Sequence, residues 1–119
     1  LLLNFLCMDH HVKNWFTTRS LDELKQEQAM RANQGKDRWT MIDFPSLIPL
    51  IKVLEFGAKK YSRDNWKKGF DHDELLDSLL RHTIALVRGE THDKESGLHH
   101  IGHILANAMF YSFHFYNDT

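Results

Sequence analysis

Side chains that can do chemistry are concentrated between Gly89 and Asn107. The first part of this stretch contains three carboxylates, Glu90, Asp93 and Glu95. Carboxylates are hard oxygen donors, the ligands that hold a hydrated divalent cation such as magnesium. Clustered carboxylates on a loop are more often merely solvated, but these three lead directly into a line of histidines. We therefore predict them as metal ligands or water-activating groups, with Mg²⁺ or Mn²⁺ as the cation.

A line of polar residues follows, on a predicted helix that otherwise has little polar surface. At about 100° per residue, its members fall within roughly 60° of one another: His100, His103, Asn107 and His114. A buried polar group without a partner costs about 1–3 kcal/mol, so these side chains need partners. Two interpretations are open. Either the histidines form structural hydrogen bonds to Asp77 or Glu95, or they line a site that binds a ligand.

Groups suited to a phosphorylated ligand precede this line: Lys59, Lys60, Tyr61, Arg63, Asn65, Trp66, Arg81 and His82. Arg and Lys bind phosphate oxygens, whereas aromatic faces and amide groups bind a base. The predicted substrate-binding residues are Lys59, Tyr61, Asn65, Trp66 and Asn107. The predicted catalytic residues are Arg81, His82, His100 and His103.

Helical periodicity dominates the elements that must position these residues. From Leu50 to Tyr61, apolar or small residues recur at i, i+3, i+4, i+7, i+8 and i+11, which indicates a helix over about 45–60. Its entry contains two prolines, which are tolerated where the first amides have no intrahelical partner. Gly57 lowers helix propensity at its position, and we expect it to permit the close approach of another helix or a ligand.

Similar apolar stripes predict helices over about 73–88 and 98–116, and the last one is apolar almost all round, as is typical of a buried helix. A capping box from Ser20 to Glu23 predicts a peripheral helix over about 20–34. The segment 36–42 is predicted to be extended, and polar loops separate the later helices. These patterns predict an all-α fold, an antiparallel helical bundle of about four helices.

Composition limits the classes of function. For a chain of 119 residues with 42% hydrophobic content, one domain is the default expectation. Its net charge of -1 gives no general attraction for nucleic acid or an anionic membrane. The apolar opening segment is too short to span a bilayer, and Met8 is a candidate natural start. The lone Cys7 cannot form an internal disulfide, which suits a reducing cytoplasm. The apolar last helix predicts a homodimer or higher homo-oligomer.

Several motifs in order resemble a known family. The matching residues are Lys36-Asp37-Arg38, Ser46-Leu47-Ile48-Pro49, Phe56-Gly57-Ala58-Lys59-Lys60-Tyr61, Asn65-Trp66, Arg81-His82, Gly89-Glu90, Asp93, Glu95-Ser96-Gly97-Leu98, His100, His103 and Asn107. They look like the phage-encoded dATP/dGTP diphosphohydrolases, which are related to the all-α MazG-type nucleotide pyrophosphohydrolases. The resemblance covers about residues 36–115 and suggests a nucleotide pyrophosphohydrolase-like domain over 36–119. Residues 1–35 would then be an N-terminal extension with the peripheral helix.

The resemblance implies metal-dependent cleavage of a purine deoxynucleoside triphosphate, dGTP or dATP, to a monophosphate and pyrophosphate. It also implies the cytoplasm of a phage-infected bacterium as the location. The usual MazG pattern pairs Glu-x-x-Glu on one helix with Glu-x-x-Asp on the next. Glu-x-x-Glu does not occur in this chain, which has Arg81-His82 and His100-x-x-His103 at comparable helical places.

Two alternatives remain. The His92-Asp93 pair, together with His82, is also compatible with an HD-type metal phosphohydrolase, although a loop would hold a ligand pair less rigidly than a helix. The second alternative is a non-catalytic helical binding or assembly module that uses the charged loop for partner contact. Metal dependence would distinguish this module from both enzymes.

Overall fold

The computed structural model describes residues 28–116, which contain three α-helices and no β-strand. These are α1 (Ile48–Lys60), α2 (His72–Val87) and α3 (His100–Phe115). Short 3₁₀ turns lie at Trp39–Met41, Phe44–Leu47 and Asn65–Lys68. The chain divides into a unit of residues 1–38 and a unit of residues 39–119. The three α-helices belong to the second unit, and the predicted all-α class is confirmed.

Two prolines lie at the start of helix α1. Pro45 lies in the 3₁₀ turn that leads into the helix, and Pro49 occupies the first turn, where a missing amide costs no intrahelical hydrogen bond. Val53, on the predicted apolar stripe, is buried. Lys59 and Lys60 lie in the last turn, where their positive charges interact favourably with the negative C-terminal end of the helix dipole. The predicted helix over 45–60 is confirmed, with a 3₁₀ first turn.

Helix α2 begins with a side-chain cap. The Glu74 amide donates to the Asp71 carboxylate at 3.2 Å, which satisfies one of the free amides of the first turn. Asp73 and Glu74 add negative charge at this end, where the helix dipole favours it. The helix ends before Gly89, whose φ of 90° suits a residue without a side chain. The predicted helix over 73–88 is therefore confirmed.

Helix α3 packs on both other helices. Three side-chain contacts fix its register against α2: His72 with Tyr111, Ser78 with Asn107, and His82 with His100. Residue numbers rise along one helix as they fall along the other, so α2 and α3 are antiparallel. The predicted helix over 98–116 is confirmed, although the helix begins at His100 instead of at residue 98.

Gly102 is the point where α3 comes closest to α1. A Cβ atom at Gly102 would lie 2.8 Å from Val53 Cγ2 and would also collide with the Pro49 carbonyl. Gly57 was predicted to permit the close approach of another helix or a ligand. The helix alternative is wrong, because a Cβ atom there would meet nothing within 4 Å, and the ligand alternative stays a prediction. Gly57 instead borders the cleft described below.

The apolar core of the described residues is small. Val53, Leu75 and Ala106 are its buried hydrophobic members. On α2, by contrast, Ile84 is 48% exposed and Val87 is 82% exposed. Part of the apolar stripe of α2 is therefore exposed to solvent in the single chain.

Two expectations for the N-terminal part need correction. Residues 28–34 of the predicted helix over 20–34 are not helical, and Met30 is 99% exposed, so no packing stabilises a helix there. The segment 36–42 contains the 3₁₀ turn Trp39–Met41 instead of being extended throughout. Cys7, Met8 and the capping box lie outside the described residues. None of the described helices is both long and apolar enough to cross a bilayer.

Candidate functional site

A tight loop between α2 and α3 positions the acidic residues. The Asp93 amide donates to the Leu98 carbonyl at 2.8 Å, and the His100 amide donates to the Thr91 carbonyl at 2.8 Å. Gly97 permits this reversal with a φ of 72°. The loop therefore carries Asp93 back to the start of α3, beside the histidines.

His82, Asp93 and His100 form a compact cluster between α2, the loop and α3. Each residue offers one side-chain nitrogen or oxygen atom that could bind a metal ion, and these three atoms all lie within 4.8 Å of one another. The Nδ1 atoms of His82 and His100 are 2.8 Å apart. His100 is buried at 4% exposure, and its Nε2 atom has no hydrogen-bond partner among the described residues. This Nε2 atom lies 3.6 Å from Glu90 Oε2.

His103 and Ser96 support the cluster from one side. The His103 ring stacks on the His82 ring with centroids 4.4 Å apart. His103 Nε2 is 2.7 Å from Ser96 Oγ and 3.8 Å from Asp93 Oδ2. The Ser96 amide donates to Asp93 Oδ2 at 2.9 Å. Ser96 thus holds both a histidine and the carboxylate in place.

The environment favours the neutral form of His82 and His103 and the charged form of Asp93. Burial lowers the pKa of His82 and of His103 below the usual 6.5, and nearby histidines lower it further. Burial alone would raise the pKa of Asp93, but the hydrogen bonds from Ser96 and the nearby histidines give a net lowering. At neutral pH the site therefore presents imidazole lone pairs beside a carboxylate, a donor combination that binds divalent metal ions.

The cluster opens into a cleft of about 840 Å³. Residues of α1, α2, α3 and both connecting loops line it. Cationic side chains border it at Lys60, Arg63 and Arg81, and aromatic rings border it at Trp66 and Phe110. Trp66 stacks on Phe110 with ring centroids 5.0 Å apart. The cleft thus combines the His82–Asp93–His100 cluster, positive charge and an aromatic wall.

The structure brings most of the predicted site residues to this cleft. Of the predicted catalytic residues, His82 and His100 belong to the cluster, His103 flanks it, and Arg81 lines the cleft as an exposed side chain. The predicted substrate-binding residues Tyr61, Asn65 and Trp66 also line the cleft. Their roles stay predictions, since position alone does not assign a role.

The three predicted metal ligands, Glu90, Asp93 and Glu95, do not all belong to the cluster. Asp93 is in the cluster, and Glu90 lies beside His100. The Glu95 side chain is 76% exposed and bonds Lys60 at 3.2 Å. Glu95 is therefore not part of the ligand cluster.

Two other predicted positions need correction. Lys59 does not line the cleft, whereas its neighbour Lys60 does, because successive helical residues point about 100° apart. Asn107 is buried and donates to Ser78 Oγ at 3.1 Å, so it joins α3 to α2 instead of lining the cleft. Of the two interpretations left open for the histidines, structural hydrogen bonds to Asp77 or Glu95 are not found: His100 contacts His82, and His103 contacts Ser96.

The sequence pattern assigned no role to Ser96 and led to Lys59 instead of Lys60 as a substrate-binding residue. The spacing of Ser96 from His103 spans a loop, so no helical periodicity relates them. His92 of the His92-Asp93 pair is outside the cluster and contacts Thr91 and His99. The adjacency of His92 and Asp93 in sequence therefore does not make them a ligand pair.

Comparison with known proteins gives two matches. Residues 26–118 match the family described as dATP/dGTP diphosphohydrolase, N-terminal. A dATP/dGTP diphosphohydrolase of Salmonella phage PMBT28 is 37% identical over 81 residues, which are 68% of this chain and 28% of that protein. The chain thus corresponds to less than a third of that relative. No solved structure matches the chain.

Proposed function

The chain belongs to the dATP/dGTP diphosphohydrolase, N-terminal family, and we propose that it hydrolyses dGTP or dATP to the monophosphate and pyrophosphate. The observation that carries this proposal is the meeting of the His82–Asp93–His100 cluster with a cleft that has cationic and aromatic borders. Each part of a purine nucleotide has a chemical counterpart in this cleft. The relative from Salmonella phage PMBT28 carries the same activity in its name.

The triphosphate would lie near the cationic border. Arg81 is adjacent to His82 in sequence and lines the same cleft. Lys60 also lines it, and its hydrogen bond to Glu95 raises its pKa above 10.5, so its ammonium group stays charged. Positive groups at this border would neutralise charge that develops on the phosphoryl oxygens during cleavage.

The purine would lie against the aromatic wall. Phe110 is seven residues beyond His103 on α3, a distance of about 10 Å along a helix. Trp66 and Phe110 offer apolar ring surface there, and Asn65 offers an amide for hydrogen bonding to a base edge. A nucleotide whose base contacts the aromatic wall would therefore have its phosphates beside the cluster.

The residues at the cluster fit a divalent cation. One donor atom from each of His82, Asp93 and His100 lies within 4.8 Å of the other two, and the Asp93 carboxylate is ionised. When bound, such an ion would polarise a phosphoryl oxygen as a Lewis acid. Asp93 and the histidines would hold it, and Ser96 would keep Asp93 oriented. His103, which burial keeps neutral and which lines the cleft beside Asp93, would accept a proton from water.

We also propose that the protein acts as a homodimer or higher homo-oligomer in the cytoplasm of a phage-infected bacterium. The uncovered apolar side chains of α2, such as Ile84 and Val87, support association of chains. The phage origin of the relative supports the location.

A nucleotide screen tests the proposed activity. The purified chain is incubated with each common nucleoside and deoxynucleoside triphosphate in the presence of magnesium or manganese, and the products are separated. We expect cleavage of dGTP or dATP that stops when the cation is chelated. If every triphosphate stays intact with both cations, the binding-module interpretation replaces this proposal.

A further inference from the structure

We propose that His82, Asp93 and His100 bind one divalent transition-metal ion, such as Mn²⁺, Co²⁺ or Zn²⁺, in preference to Mg²⁺. The assignment deepens the function proposed above, because it names the ion and its ligands. It replaces the three carboxylates expected from the sequence with two imidazoles and one carboxylate.

The distance between the imidazoles supports a shared ion. Their Nδ1 atoms are 2.8 Å apart. Two nitrogens that each lie about 2.1 Å from one ion, at a right angle, are about 3 Å apart. The two rings therefore already have the spacing of adjacent ligands, and Asp93 approaches the same point.

Glu90 has a separate part in this arrangement. If Nδ1 of His100 faces the ion, Nε2 is the remaining nitrogen, and it is buried without a hydrogen-bond partner in the described residues. Glu90 Oε2 lies 3.6 Å from it, so a small movement would make a hydrogen bond. A carboxylate behind a ligating histidine fixes the ring orientation and makes the ligand more basic. Glu90 is thus a positioning residue.

The donor set determines the class of metal. Magnesium prefers oxygen ligands and gives up its waters reluctantly. Imidazole nitrogen favours transition metals, whose affinities rise from manganese towards copper. Two histidines and one carboxylate also leave coordination positions open, as catalytic sites require.

Metal titration without nucleotide tests the assignment on the full chain. Cobalt binding is followed by its visible absorption, and the same solutions are titrated with Mg²⁺ as competitor. We expect one Co²⁺ per chain, displacement by Zn²⁺, and no displacement by an equal concentration of Mg²⁺. Equal competition by Mg²⁺ would overturn the proposal.

Variants identify the ligands. His82→Gln and Asp93→Asn should each weaken Co²⁺ binding by more than about 100-fold, and Glu90→Gln by about 10–100-fold. The matched control His92→Gln, in the same loop but outside the cluster, should bind Co²⁺ as the unmodified chain does. Circular dichroism verifies that each variant keeps its helices. His82→Gln is the primary variant because His82 is only half-buried, so its replacement disturbs the fold least.

Unchanged Co²⁺ affinity in a folded His82→Gln variant would overturn the site. The outcome is separable from nucleotide hydrolysis. If Co²⁺ binds as expected while no nucleoside triphosphate is cleaved, the metal site stands and the proposed function fails.

Discussion

At the scale of single residues, Asp93 connects most of the site. It accepts a hydrogen bond from the Ser96 amide, lies 3.8 Å from His103, and shares the cluster with His82 and His100. Its pKa is lowered despite its burial, so it is a carboxylate at neutral pH. A residue with these contacts holds charge where a cation and a triphosphate would meet.

Replacing Asp93 by Asn should therefore abolish turnover. The amide keeps the shape but loses the charge and most of the affinity for a cation, so activity should fall more than about 100-fold. The helical signal should persist, because loop carboxylates contribute little to the core. Steady-state rates and circular dichroism measure the two effects. Asp77→Asn is the matched control, since Asp77 is an exposed carboxylate on α2 that belongs neither to the cluster nor to the cleft. Full activity of Asp93→Asn would argue against the site.

Lys60 and Lys59 offer a second matched pair. Lys60 lines the cleft and Lys59 does not. Lys60→Met should raise the KM for the triphosphate about tenfold, because a charge-assisted hydrogen bond to phosphate is lost. Lys59→Met should leave KM near its original value. The reverse order of effects would mean that the triphosphate lies elsewhere.

At the scale of elements, α3 connects the site to the fold. It contains His100 and His103, and it packs on α1 at Gly102 and on α2 at Asn107. The hydrogen bond between Asn107 and Ser78 fixes the register of α2 against α3, and this register brings His82 opposite His100. The site therefore depends on packing along the whole length of the helix.

The close approach at Gly102 leads to a stability prediction. Gly102→Ala should lower the free energy of unfolding by about 1–3 kcal/mol, because the added methyl group collides with α1. Gly57→Ala is the control, since its methyl group would enter open space and alanine favours a helix by up to about 1 kcal/mol. Denaturant unfolding of the two variants provides the comparison. Equal stability of both variants would mean that α1 and α3 do not cross as described.

The sequence was informative about elements and less so about contacts between them. Apolar periodicity predicted α1, α2 and α3 within two or three residues, because each helix has its own apolar stripe. The alignment of polar residues on one face predicted that His100 and His103 would be together. The partners of these residues depended on the helix register and on the 89–99 loop, which periodicity does not describe. For that reason Ser96 was missed, and Glu95 was placed with Asp93 although its side chain points to Lys60.

At the scale of the whole molecule, the small core requires explanation. Val53, Leu75 and Ala106 are the buried hydrophobic residues of the described part. Several larger apolar side chains on α1 and α2 are about half exposed, among them Ile48, Leu80 and Ile84. Exposed apolar stripes on a helix are typical of surfaces that bind another chain.

Self-association should depend on the exposed side of α2. Val87→Glu should shift the protein towards the monomer, because a buried charge opposes the contact between apolar surfaces. Lys68→Glu, an exposed position outside this helix, is the control for added negative charge. Sedimentation velocity over a range of concentrations measures the mass of each variant. A monomer before any substitution would contradict the proposed homo-oligomer.

The ratio of reaction products tests the central claim most directly. Phosphorus NMR of the purified chain with dGTP and manganese follows the nucleotide, pyrophosphate and free phosphate in one sample. We predict dGMP and pyrophosphate in equal amounts throughout the reaction, and no reaction with Asp93→Asn. Stepwise release of single phosphates through dGDP, or turnover that survives loss of Asp93, would contradict this prediction.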